Sequence, residues 1–184
     1  SRIFLPTMAL TILLFTLSGV LLGINWLVYI WAVKANHIVE TSLGYFINPL
    51  VSGALGVIFL REKLRPLQWV PVGMAAAGVV YLTVQYGTLP WISLTLAFSF
   101  GIYGLLKKIA STGGLYSMTV EMAALCLPAL GYLLWMGSRG EGVVSTASLT
   151  TWLLLIAAGA ITVVPILLFT AAARIIPLAL VGIL

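Results

Sequence analysis

Apolar residues in this chain come in long blocks, and the dense breaks between them are short and polar. The blocks run from Phe4 to Val33, Ile38 to Leu60, Leu67 to Tyr86, Pro90 to Leu106, Leu115 to Gly137 and Thr151 to Ala173, and a further one opens at Ile175. The gaps are Lys34 to His37, Arg61 to Arg65, Gly87 to Thr88, Lys107 to Gly114, Ser138 to Thr150 and Arg174. Roughly 20 apolar helical residues cross a hydrocarbon core, so the pattern predicts six spanning helices and the start of a seventh. A β-barrel also satisfies every backbone group in lipid, but its strands alternate apolar and polar residues. No stretch here alternates that way. The expected fold is all-α, a polytopic transmembrane helix bundle whose main partner is the lipid bilayer.

Composition agrees, because 62% of residues are hydrophobic and 7% charged, against roughly 25% charged in soluble domains. The net charge of +5 does not point to nucleic acid, since the nine basic residues are distributed by loop rather than gathered on one soluble face. Counted along six crossings, Arg2, Arg61, Lys63, Arg65, Lys107, Lys108 and Arg174 fall on one side, and Lys34 and Arg139 on the other. That bias predicts that the side with seven is cytoplasmic. Cys126 is the single cysteine and cannot form an intrachain disulfide.

The second block carries the densest chemistry. Thr41, Tyr45, Asn48 and Ser52 lie within about 60° of one another on one helical face, and Pro49 at the centre of the span removes a backbone donor, freeing the carbonyl of Tyr45. A freed carbonyl needs a partner, which directs this stripe toward protein or a water-filled cavity. It suits a polar or zwitterionic solute, and interhelical hydrogen bonding is the alternative. On the first span Thr11, Ser18, Asn25 and Tyr29 share a side, and on the fourth Thr95, Ser99 and Tyr103 form a drifting stripe. Both are expected to border the same cavity.

Two carboxylates fall inside or beside spans. Glu121, with Ser117 and Pro128 on its face, lies about two turns into the fifth span. An ionised carboxylate there costs about 2.5–3.5 kcal/mol, so it must be protonated, paired or solvated. That makes it a candidate for proton coupling or substrate recognition, with neutralisation by Lys107 or Lys108 as the structural alternative. Glu40 is one turn into its helix, where a carboxylate favours the N-terminal dipole; capping is the stronger reading, beside a place in the substrate site. His37 is the sole histidine, in an elbow with no second ligand nearby, so no metal and no cofactor are expected. Trp31, Trp69, Trp91, Trp135 and Trp152 fit an interfacial aromatic belt, Trp26 less well. Gly19 with Gly23, Ser52 with Gly56, and Gly73 with Ala77 are expected to pack helices closely.

Aligned at an offset of 140 residues, Gly19 meets Gly159, Leu27 meets Leu167, Tyr29 meets Phe169, Ala32 meets Ala172 and Lys34 meets Arg174, while Asn25 meets Pro165. Copies five spans apart run in opposite directions, as in inverted-repeat transporters that hold substrate near the midplane. Chance alignment of two Ala/Gly-rich helices is the alternative. Pro165 would loosen its helix near the midplane.

Three runs also carry a family resemblance: Gly23 to Val33 (GINWLVYIWAV), Glu40 to Val51 (ETSLGYFINPLV) and Leu96 to Lys108 (LAFSFGIYGLLKK). With Thr119-Val120-Glu121 and Leu153 to Pro165, they closely resemble the RarD, or chloramphenicol-sensitivity, branch of the EamA transporters in the drug/metabolite transporter superfamily. The resemblance implies ten helices in two inverted repeats. Residues 1–88 would hold the last three helices of the first repeat, and 89–184 the first three of the second with the start of a fourth. It also implies a multi-pass bacterial inner-membrane location. The chain begins at Ser1 and stops inside an apolar run, and is expected to be a fragment of such a protein. Where the family often has Gly-Glu after its fourth helix, this chain has Arg61-Glu62, so a glycine-type turn is not expected there.

Intramembrane hydrolysis would require paired aspartates, a zinc helix or a serine with a histidine base, but there is no aspartate and one loop histidine. An enzyme is therefore not expected. The reading is a secondary transporter of a small polar or amphipathic metabolite or drug, working by alternating access. Asn25, Tyr29, Glu40, Thr41, Tyr45, Asn48, Ser52, Ser99, Tyr103 and Glu121 are its candidate substrate-binding residues. The expected partners are a small-molecule substrate and a proton or other coupling ion, with a homodimer left open. A non-transporting membrane scaffold is the alternative.

Overall fold

A computed structural model describes residues 8–62, 66–87, 90–110, 114–140, 142 and 147–181. Arg2, Lys63 and Arg65 of the charge count, Thr88, and residues 111–113, 141 and 143–146 of the two longest gaps lie outside the described residues. The rest is helical: α1 (Met8–Lys34), α2 (Ile38–Leu60), a 3-10 turn (Pro66–Gln68), α3 (Trp69–Tyr86), α4 (Trp91–Ile109), α5 (Gly114–Ser138), α6 (Leu149–Ile175) and α7 (Leu178–Val181). Each predicted span is a helix. Among the described residues, five (α1, α2, α4, α5 and α6) are long and apolar enough to cross a membrane. The protein is an all-α, multi-pass membrane bundle.

The bundle is organised around α4, which packs against α1, α2, α6 and α7. Helix α1 also lies along α5, α3 leans on α2, and α1 and α2 touch each other only lightly. One core cluster joins Leu43, Ile47 and Val51 of α2 to Ala97 of α4. A second joins Ala32 of α1 to Ile92 and Leu96 of α4. Small residues make these approaches possible: a Cβ on Gly101 would sit 2.7 Å from Val51 Cγ1, and one on Gly19 would sit 3.1 Å from the Glu121 carbonyl oxygen. Gly73, expected to pack a neighbour, has nothing within 4 Å of its Cβ position, because α3 meets the bundle through other positions.

The two ends differ in chemistry. At one, α1 turns into α2 through Asn36 in the left-handed conformation (φ 62°), and His37 N–H returns to the Ala32 carbonyl at 2.8 Å. Trp31 stacks on His37 and lies 5.7 Å from Trp91, ring centre to ring centre. At the other, α2 ends with Arg61 in the left-handed conformation (φ 53°, ψ 35°), and both the Arg61 and Glu62 N–H groups reach the Gly56 carbonyl. The turn forms although arginine stands where glycine is the usual choice, at a local cost of about 1–2 kcal/mol.

Glu62 fastens that turn to the far half of the chain. Its Oε1 lies 2.9 Å from Lys108 Nζ at the end of α4 and accepts the Leu178 N–H at 3.0 Å, and its Oε2 accepts the Ala179 N–H at 3.4 Å. Lys108 donates to the Ile176 carbonyl, and Arg174 to the Ala110 carbonyl. The ends of α2, α4 and α6 therefore meet, which brings Arg61, Lys107, Lys108 and Arg174 to one end of the bundle.

A polar cavity and a separate buried ion pair

Between α1, α2, α4 and α6 lies a cavity of about 460 Å³ lined by Asn25, Trp26, Tyr29, Thr41, Gly44, Tyr45, Asn48, Leu96, Phe100 and Thr162. It occupies the half of the bundle toward the Trp31–Trp91 end. Five residues singled out from the sequence, Asn25, Tyr29, Thr41, Tyr45 and Asn48, meet in this wall. They do so because α2 turns its Thr41–Tyr45–Asn48 face toward the Asn25–Tyr29 face of α1 across α4. Pro49 leaves α2 helical from end to end.

The polar groups of the wall are held by their own helices or by α4. Asn25 Nδ2 donates to the Leu96 carbonyl and to Ser99 Oγ, both at 2.9 Å. Ser99 in turn donates to the Leu96 carbonyl at 3.1 Å. Ser52 Oγ donates to Asn48 Oδ1 at 3.3 Å. Thr41 and Thr162 donate to the carbonyls of Ile38 and Ala158, which leaves their oxygen lone pairs available. Tyr29 and Tyr45 meet edge to face, 6.4 Å apart.

The other five candidates do not line this cavity. Ser52 and Ser99 stand one step behind it, holding Asn48 and Asn25. Glu40 sits in the first turn of α2, its carboxylate 2.8 Å from His37 Nδ1 and its carbonyl accepting from Ser93 Oγ. Tyr103 and Glu121 belong to a second polar cluster toward the opposite end. There Glu121, fully buried, pairs with the buried Lys107 at 2.5 Å, and Ser18 Oγ lies 2.6 Å from the same carboxylate oxygen. Lys107 Nζ also donates to Ser117 Oγ at 2.7 Å and stands over the Tyr103 ring, 5.3 Å from its centre. Lys107, read from the sequence as a loop residue, is instead the last-turn cation of α4, neutralised from α5. Glu121 Oε2, Tyr103 Oη and Thr170 Oγ1 are buried without a hydrogen-bond partner among the described residues.

Trp26, Phe100 and Thr162 were not among the sequence candidates. Trp26 and Phe100 are apolar neighbours of Asn25 and Ser99, and the one usable signal was that Trp26 sits too deep for an interfacial belt. Thr95, expected near the cavity, is half-buried outside its lining and bonded to the Trp91 carbonyl. A second cavity of about 430 Å³, walled mainly by Met118, Met122, Val163 and Ile166, shares Trp26, Tyr29 and Thr162 with the first.

Comparison with known proteins gives consistent relatives. The chain is 49% identical over 168 residues to Protein RarD of Streptomyces exfoliatus, covering 91% of this chain and 53% of that protein. It is likewise 49% identical over 168 residues to the uncharacterized transporter YojE of Bacillus subtilis, covering 91% and 56%. Against Protein RarD of Escherichia coli it is 43% identical over 171 residues, covering 93% and 58%. The chain thus spans a little over half the length of these relatives. No family model matches it, and no solved structure matches it.

Proposed function

The chain belongs to the RarD group of multi-pass bacterial membrane proteins, and on that premise we propose that it forms the solute-holding part of a secondary transporter that works by alternating access. The observation that carries this reading is the convergence of Asn25, Tyr29, Thr41, Tyr45 and Asn48 on one cavity inside the bundle. Asn25 bonds across to α4 and Tyr29 meets Tyr45, yet together the five also surround a space large enough for a small metabolite. The solute is small and polar or amphipathic. With no phosphate-binding G-x-x-x-x-G-K sequence in the chain, an ion gradient or solute exchange supplies the energy. In this reading Glu121 acts in coupling rather than in the wall, because it is buried against a cation instead of facing the cavity. The inverted relation of α1 and α6 is part of the same proposal.

The test compares small solutes inside and outside cells that carry the full protein or its Asn48→Leu variant at equal abundance. We expect at least one solute to shift its distribution with the unmodified protein and to return to the control level with Asn48→Leu. Identical profiles across protein, variant and empty cells would sink the transporter reading and leave a membrane scaffold.

A further inference from the structure

The cavity wall has a definite hydrogen-bonding polarity. Both hydrogens of the Asn25 amide are spent, one on the Leu96 carbonyl and one on Ser99 Oγ. Turning that amide over would set Oδ1 2.9 Å from a carbonyl oxygen, so its orientation is fixed and Oδ1 is the atom left for the cavity. Asn48 is held the opposite way: its Oδ1 accepts from Ser52, and its Nδ2 has no partner among the described residues. Two amides on facing helices therefore offer one acceptor and one donor. Thr41 and Thr162, having given their protons to their own helices, add acceptors. Around them stand four aromatic rings, Trp26, Tyr29, Tyr45 and Phe100, and no charged side chain is among the lining residues. The described carboxylates are engaged elsewhere, Glu40 with His37 and, toward the other end, Glu121 with Lys107 and Glu62 with Lys108.

Resting on the transporter reading above, we infer that this cavity selects uncharged solutes bearing a carboxamide or lactam next to an aromatic ring. The solute carbonyl accepts from Asn48 Nδ2, its N–H donates to Asn25 Oδ1, and the ring lies among Trp26, Tyr29, Tyr45 and Phe100. A carboxylate solute supplies no N–H for Asn25. An ammonium solute leaves the Asn48 donor unanswered and finds no counter-charge in the wall. An ester has the carbonyl but not the N–H. Each mismatch leaves a wall group desolvated without a partner, which is where discrimination of this kind originates.

Trp26 lies in the wall, and nitroaromatics quench indole emission, so the site carries its own reporter. The full protein in lipid nanodiscs is titrated with 3-nitrobenzamide, methyl 3-nitrobenzoate, 3-nitrobenzoate and 3-nitrobenzylammonium, four probes of one size. We expect saturable quenching by the amide, lost in Trp26→Phe, at concentrations about tenfold lower than for the ester, the value of roughly one neutral hydrogen bond. The two ions are expected to quench without saturation. In Asn25→Leu the amide and ester should become equal, whereas Asn48→Leu, which removes the donor to the carbonyl they share, should weaken both alike. If all four probes saturate alike, or an ion binds most tightly, the cavity stands as a solute site and the amide assignment falls. If none quenches Trp26 saturably at millimolar concentration, the assignment and the solute-site reading beneath it both fall.

Discussion

Lys107 and Glu121 are each at most 1% exposed and lie in contact, and neither would be tolerated in this position alone. Removing one partner of a buried pair strands the other charge, at about 3–5 kcal/mol. Replacing both by apolar residues of similar size removes the desolvation penalty along with the attraction. We therefore expect Lys107→Met and Glu121→Leu each to lower stability in a denaturant or thermal assay in lipid, and the double variant to lose less than either single one. Additive losses would mean that the two groups are stabilised independently. Arg61, left-handed like Asn36 but without asparagine's tolerance of that conformation, also bears a local cost. Its left-handed backbone serves to deliver the Glu62 carboxylate over Gly56, where an added Cβ would meet Glu62 Oε2 at 2.6 Å.

Among the helices, close approach is unevenly distributed. Gly101 lets α4 pass against Val51 of α2, where an added methyl would come within 2.7 Å of Val51 Cγ1. Gly101→Ala should cost about 1–3 kcal/mol through overpacking, whereas Gly73→Ala, with nothing within 4 Å, should be neutral or slightly stabilising because alanine favours the helix. Unfolding of the two variants side by side checks this. The helices themselves were legible because a spanning segment announces itself by length and polarity, and the α2 window coincides with its helix from Ile38 to Leu60. The fourth window closed at Leu106, but α4 continues to Ile109. Charges that look like a loop in sequence stay helical when Glu121 and Glu62 answer them. The stripe of Thr41, Tyr45 and Asn48 was legible through its helical period. Ser99 and Tyr103 drift in phase along α4, so one props Asn25 while the other turns to Phe169 and Lys107. Trp26 and Phe100 were hidden because an apolar ring that faces a cavity reads like one that faces lipid.

Across the whole molecule, Glu62 ties the end of α2 to α4 and α7. Burial alone would push its carboxyl up, but the Lys108 ammonium and the Leu178 and Ala179 N–H groups outweigh burial and hold it below the ordinary value of 4.5. A carboxylate depressed in the folded state contributes stability above that ordinary value, and the contribution is lost as pH falls through the lower folded value. The junction of α6 and α7 should therefore loosen selectively below about pH 4.5. Hydrogen exchange at Leu178 and Ala179 would report it, and Glu62→Gln should exchange faster at neutral pH and show no such acid step. Retention of the step in Glu62→Gln would assign it to another group.

The central place of α4 also dictates an order of events during synthesis. Helices α1 and α2 barely touch each other and take their main partner from α4, so the first half of the chain gains little by assembling before residue 109 has left the ribosome. Even then α4 carries Lys107 with no counter-charge until Glu121 follows on α5. A lysine near a helix end can reach to the lipid headgroups in the interval, so an arrest placed between Ile109 and Glu121 is expected to leave Lys107 open to a water-soluble amine reagent until Glu121 arrives to bury it.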